Sequence, residues 1–183
     1  ASYDAAAAPD GKLVLLAAPA TAPGRVDVIR ASVQATLNGS AEVRPVQAGK
    51  LIGNPAIAID GDGFATATWR LVPSVTGSPI VEARRISAVD LVALTPLGSV
   101  TRLDGTPAEG PAQPGPFVAA DPGGGVLAGW PQQTLSANAF TDSYLRPLPA
   151  APLTTTAGLP ALASVSALTG AAANLSDLVP GGD

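Results

Sequence analysis

A strand–turn–strand segment occurs twice in this chain, in register and without a gap. The first copy is Asn54-Pro55-Ala56-Ile57-Ala58-Ile59-Asp60-Gly61-Asp62-Gly63-Phe64-Ala65-Thr66-Ala67-Thr68-Trp69. The second is Gly115-Pro116-Phe117-Val118-Ala119-Ala120-Asp121-Pro122-Gly123-Gly124-Gly125-Val126-Leu127-Ala128-Gly129-Trp130. Pro55 and Pro116, Asp60 and Asp121, Gly63 and Gly124, and Trp69 and Trp130 are each 61 residues apart. Self-similarity of this length means one supersecondary unit used several times. It constrains the architecture strongly and names no reaction.

Around these copies the alternation of apolar and polar residues predicts further short strands. Lys12–Ala17 reads as a buried strand, and Arg25–Thr36 as a half-buried one. Asn38-Gly39 is a hairpin signal, with Glu42–Val46 as the return strand. Ile80–Ile86, Val89–Leu94 and Ser99–Leu103 extend the second unit, and Ala139–Leu145 the third. Four or five short strands per unit of about 50–60 residues is the size of a propeller blade or a small sheet layer. With 20 Gly and 19 Pro among 183 residues, turns are frequent but stay below the roughly 25–30% at which disorder is the default. The expected fold is mostly β: repeated antiparallel units, propeller-blade-like or sandwich, with a C-terminal apolar arm or short helix. Residues 1–9 read as a loose lead-in. The repeated domain is expected over 1–146, in units of about 10–53, 54–114 and 115–146, followed by a Pro/Ala/Leu-rich arm over 147–183.

That arm is opened by Pro147, Pro149 and Pro152 as an extended linker. Leu159, Leu162, Val165, Leu168, Leu175 and Val179 then recur at three- to four-residue spacing, a helical stripe weakened by Gly170. They are the candidate partner-binding residues, with docking on the protein's own body as the alternative. A membrane span needs about 20 strongly apolar residues, and this Ala-, Ser- and Thr-rich stretch does not fit one.

Composition narrows the chemistry. There is no Cys, His or Met, which removes disulfides, thiol nucleophiles and the commonest metal ligand and proton carrier. Charged residues make up only 13%, net −4, and Arg84-Arg85 is the one adjacent basic pair. No positive face for nucleic acid is in view. The start Ala1-Ser2-Tyr3-Asp4 suits the mature end left by a signal peptidase. Export is therefore expected, to an extracellular or cell-envelope location, a virion component included.

Each candidate site has a plainer reading beside it. Asp60-Gly61-Asp62-Gly63 has the look of a calcium loop, making Asp60 and Asp62 the candidate metal ligands. An EF-hand would bring a Glu six residues after the Gly, and Trp69 stands there, so an Asx-type turn fits better. Gly123-Gly124-Gly125 lacks the Lys and spaced glycines of a phosphate loop and reads as a turn. Asp60, Asp62, Glu82, Asp90 and Asp121 are candidate carboxylates for glycoside hydrolysis, but no spacing singles out a pair. Trp69 and Trp130 are candidate sugar-stacking residues, though equivalent Trp residues beside Ala-rich strands fit core anchors better. Asn38-Gly39-Ser40 and Asn174-Leu175-Ser176 match the glycosylation pattern.

The pattern Pro-x-Ile/Val-Ala-x-Asp-x-x-Gly, followed by a small-residue strand ending in Trp, resembles tandem repeats of secreted proteins from high-GC bacteria. Those repeats resemble β-propeller blades, and the resemblance spans residues 12–147. In the first unit Asp10-Gly11-Lys12 stands at the turn and Ala17 takes the place of Trp. The sialidase Asp-box differs: it sets Trp three residues after Gly, where Trp69 follows Gly63 by six. No sialidase-like site carries over. Three units fall short of the four to eight blades of an ordinary propeller, and stacked repeats leave exposed faces. The chain is therefore expected to be a non-catalytic assembly subunit that packs against protein partners, needing no cofactor. A carbohydrate-binding module is the alternative, and a carboxylate glycosidase the weaker one.

Overall fold

The computed structural model describes residues 2–8, 10–22, 24–31, 37–44, 51–72, 80–87, 95–103, 115–121, 124–134, 139–149, 159–161 and 163–164. They form three four-stranded antiparallel sheets. The first contains β1 (Ser2–Ala7), β2 (Leu13–Ala18), β3 (Val26–Ala31) and β4 (Leu37–Arg44). The second contains β5 (Leu51–Ile59), β6 (Phe64–Val72), β7 (Ile80–Ser87) and β8 (Thr95–Arg102). The third contains β9 (Phe117–Ala120), β10 (Val126–Thr134), β11 (Ala139–Leu148) and β12 (Ala163–Ser164). In each sheet every strand pairs with its neighbour in sequence. The mostly β, repeated antiparallel architecture expected from the sequence is what the chain adopts.

The sheets stack face to face, sandwich-like, around two cores. Val14 and Leu16 of β2, Val26 and Val28 of β3 and Val43 of β4 meet Ile57, Ala65, Ala67, Trp69, Leu71 and Ile86 of the second sheet. Val81, Ala83 and Leu103, from the opposite face of that second sheet, meet Val118, Ala120, Val126, Ala128, Trp130 and Leu148 of the third. The middle sheet is thus covered on both faces, and β6 is buried almost without alternation. In β2, by contrast, burial alternates strictly, because only one face of the first sheet meets another sheet among the described residues.

The first hairpin of each sheet uses the same turn. Ala8, Asp60 and Asp121 donate their backbone N–H to the carbonyls of Lys12, Phe64 and Gly125, at 2.8, 3.0 and 2.9 Å. Gly11, Gly63 and Gly124 then donate back to the carbonyls of Ala8, Asp60 and Asp121, with φ of 76°, 81° and 88°. This left-handed backbone is where glycine is favoured. Three structurally equivalent glycines fix the repeat register: Gly11, Gly63 and Gly124.

Proline placement follows the ladder. Pro96 lies on the edge strand β8, and Pro55 lies in the β5 irregularity between Gly53 and Ala56. Pro131 lies past the last β9 pair (Gly129 with Phe117), and Pro147 past the last β12 pair (Leu145 with Ala163). Each avoids a position that must donate on both sides.

Four expectations change. Residues 2–7 form a strand instead of a loose lead-in, held by six β2 partners. Asn38-Gly39 lies inside β4, with Gly39 opposite Arg30, rather than at a turn. Pro147 lies within β11, paired with Leu127, instead of opening a linker. Ala163–Ser164 is a strand beside Tyr144 and Leu145 where a helical stripe was expected. The rest of that stripe, Leu162, Val165, Leu168, Leu175 and Val179, lies outside the described residues, as does the expected strand Val89–Leu94.

Candidate functional site

Antiparallel partners point to the same face of a sheet, so the pairing register assigns every side chain. Each sheet has a leading face, toward the preceding sheet, and a trailing face, toward the next. Counting from the turn glycine, the leading-face positions of the second strand are Leu13, Leu15 and Ala17 in the first sheet. They are Ala65, Ala67 and Trp69 in the second, and Val126, Ala128 and Trp130 in the third.

Both Trp side chains are therefore in the layers between sheets. Trp69 is 0% exposed and Trp130 1%, so neither offers a ring face to a sugar. The Trp69 indole N–H donates to Glu82 Oε2 at 2.8 Å, across the Trp69–Glu82 pair of β6 and β7. Tyr144 stands opposite Trp130 in the third sheet, and the Trp130 indole N–H has no hydrogen-bond partner.

Asp60 is buried and fully engaged. Its Oδ1 accepts the backbone N–H groups of Asp62 (3.1 Å) and Phe64 (2.8 Å), forming an Asx turn. Its Oδ2 accepts from Arg85 Nη2 at 2.9 Å, with both side chains essentially inaccessible. Arg85 Nη1 donates to Thr66 Oγ1 at 2.6 Å, and its guanidinium carbon lies 5.6 Å from the Phe64 ring centroid. A cation at Asp60 would have to sit beside a fixed guanidinium. Asp62 is exposed beside the third sheet's turn: a carbon built on Gly124 would lie 3.7 Å from its Oδ2. Among the described residues no three Asp or Glu side chains gather as metal ligands.

The carboxylates considered for glycoside hydrolysis divide the same way. Asp60 and Glu82 are buried and hydrogen-bonded, Asp62 and Asp121 are exposed at turns, and Asp90 lies outside the described residues. The sequence pointed to Asp60 but not to Arg85 as its partner. The signal was the β7 register, which sets Arg85 opposite Thr66.

Polar links tie the first sheet to the second. The Ile57 N–H donates to Asp4 Oδ2 at 2.8 Å, and Arg84 Nη1 donates to the Val43 carbonyl at 2.7 Å. Burial lowers the Arg84 pKa below its ordinary value, as it does for Arg70. Gly115 lies against Asn54, where any added carbon would come within 2.0 Å of the Asn54 Cβ. Leu159, the one described member of the predicted arm stripe, packs on the second core.

The remaining candidate surface is the leading face of the first sheet. Leu13, Leu15, Ala17 and Ile29 are half-buried there, and Ala5 and Ala7 are exposed. Tyr3 is 75% exposed, the most exposed large hydrophobic side chain among the described residues. At its rim Arg25 bridges Asp27 at 2.7 Å and Glu42 at 3.4 Å. The hydrogen bond that Arg25 donates to Asp27, together with the Asp27 charge, raises the Arg25 pKa. The alternation of Leu13 and Leu15 with Val14 and Leu16 was the available signal: both faces of β2 are apolar.

No family model matches the chain, and neither the curated proteins nor the solved structures contain a match.

Proposed function

We propose that this chain is a non-catalytic, exported structural subunit that packs against other protein chains in an extracellular, envelope or virion assembly. The observation that carries this reading is the leading face of the first sheet. Its equivalents in the second and third sheets are buried under a preceding sheet, whereas Leu13, Leu15 and Ile29 have none over them among the described residues. A solvated antiparallel face usually alternates to polar residues, and an uncovered apolar patch of this kind marks an interaction surface. The meander of each sheet and the serial stacking also support the blade-like reading, in which three sheets make an incomplete array. Export fits the low charge and the lack of Cys. The carbohydrate-binding alternative loses its two anchors, since Trp69 and Trp130 are buried.

The test is apolar-dye fluorescence on the purified chain, with its mass measured by light scattering. A single-chain species is expected to bind dye and to lose that binding in Leu15→Asp. An assembled species is expected to hide the face from dye. A single-chain species that binds no dye is self-sealed, and that result removes the reading.

A further inference from the structure

We infer that the layer between the second and third sheets holds a binding site for a small carboxylic acid, with Arg70 and Trp130 as its donors and Gly53 at its mouth.

The two internal layers treat equivalent positions differently. In the first layer the Trp69 indole N–H donates to the Glu82 carboxylate at 2.8 Å. In the second, the position opposite Trp130 carries Tyr144 instead of a carboxylate, and the buried Trp130 Nε1 has no acceptor. The trailing faces differ too. Seven residues past the turn glycine the first and third sheets carry Ala18 and Pro131, and the second carries Arg70. Arg70 pairs with Val81, which belongs to the same core as Trp130. Arg70 therefore projects into the layer that Trp130 fills, one register step away from it. Its Nε and Nη1 are also buried without an acceptor. Relative to the first layer, the second has lost a carboxylate and gained a cation.

An unmet buried donor costs about 1–3 kcal/mol, and more when it is charged. Three such donors in one layer point to an acceptor that comes from outside the chain. The layer is also rich in positive charge. Arg85 and Arg146 face it opposite Thr66 and Ala128, and Asp60 is committed to Arg85. Among the described residues no carboxylate pairs with Arg70. Burial lowers the Arg70 pKa, as expected for a cation whose desolvation no carboxylate offsets.

Space lies beside these donors. Gly53 stands opposite Arg70 on β5, on the same face of the sheet. A carbon built on Gly53 would meet nothing within 4 Å, and Gly53 is half-exposed, so the space is reachable from solvent. A carboxylate has two oxygens, enough to accept from a guanidinium and an indole together. It is also the group that meets the equivalent indole in the first layer. The buried Val81, Ala83 and Val118 around the layer restrict the acid to a small one.

The chain has two Trp residues, so the isotope-labelled full chain gives two indole N–H resonances, assigned with Trp69→Phe. Titration with sodium acetate should move the Trp130 resonance saturably and leave the Trp69 resonance, held by Glu82, in place. Sodium chloride at equal ionic strength should move neither. Arg70→Gln should weaken acetate binding about tenfold, as expected for the loss of one charged hydrogen bond. Gly53→Val fills the space without removing a donor. It should weaken binding to a similar degree with the far-UV circular dichroism unchanged, and it carries the test if Arg70→Gln does not fold. A Trp130 resonance that ignores acetate, that chloride moves equally, or that shifts only together with Trp69 overturns the site. Acetate binding unchanged in folded Arg70→Gln or in Gly53→Val overturns its placement beside these residues.

Discussion

Trp69 and Trp130 hold equivalent places in the second and third sheets, and they are the two largest fully buried side chains. Their surroundings differ. Trp69 donates to Glu82 from the strand beside it, while Trp130 has Tyr144 opposite and an unpartnered indole N–H. Asp60 and Asp121 differ in the same way. Asp60 is buried with Arg85, whereas Asp121 is exposed and the position equivalent to Arg85 is Pro147. The repeat thus preserves volume and backbone turn, and lets polar pairing diverge. Interiors are packed at close to crystal density, so every layer must fill the same space. Hydrogen-bond partners come from neighbouring strands and can change one sheet at a time.

Mutations at paired positions break or sharpen this contrast. The largest difference is expected between Asp60→Ala and Asp121→Ala. The first leaves the buried Arg85 guanidinium without its carboxylate and should cost about 3–5 kcal/mol. The second should stay within about 1 kcal/mol. Equal midpoint shifts in urea would mean that the Asp60–Arg85 pair does not distinguish the two layers. Next come the Trp residues. Trp69→Phe and Trp130→Phe lose similar volume, but only the first loses a hydrogen bond to a carboxylate. It should cost about 1–3 kcal/mol more, read by the same titration.

The turns should show the opposite behaviour. Gly63→Ala and Gly124→Ala both force a side chain onto left-handed backbone, and open space or ordinary contact surrounds Gly124. Each should cost about 1–2 kcal/mol, and unequal losses would show that the turns are not equivalent. The smallest effect concerns Asp10. Its Oδ2 accepts from Arg30 Nη2 at 2.6 Å. Desolvation alone would raise its pKa, but the Lys12 N–H and the charges of Arg30 and Lys12 hold it below the ordinary value. Its stabilising contribution is therefore present above the ordinary carboxylate range and lost as pH falls through the lower folded value. Asp10→Asn should remove a small slope in stability below about pH 4, and a slope unchanged by the mutation would assign it to other carboxylates.

Much of the second sheet was legible in the sequence, because β5 and β6 carry β-branched residues and flank an Asp-Gly turn with a recognisable φ requirement. The first sheet was less so. Ser2–Ala7 has no β-branched residue to mark a strand, and its pairing with β2 is a tertiary fact. Asn38-Gly39 carries strong turn chemistry, yet pairing of Arg30 with Gly39 and Ile29 with Ser40 overrides it. Pro147 looked like a breaker because its neighbour's end point cannot be read from a sequence. The Trp residues were legible as repeats, and their burial follows from which face each occupies. The leading face of the first sheet was not, because deciding which side of β2 is covered requires knowing how the sheets stack.

Strand order carries a mechanical consequence. Within each sheet every described strand pairs with its immediate neighbour along the chain, so tension applied across a sheet would load its outermost ladder first. Hydrogen bonds would then rupture in succession, as a zipper opens, instead of sharing the force as a sheared pair does. A molecule wired this way would yield to pulling at low force, one hairpin after another, unless neighbours on its flanks clamp those ladders from the side.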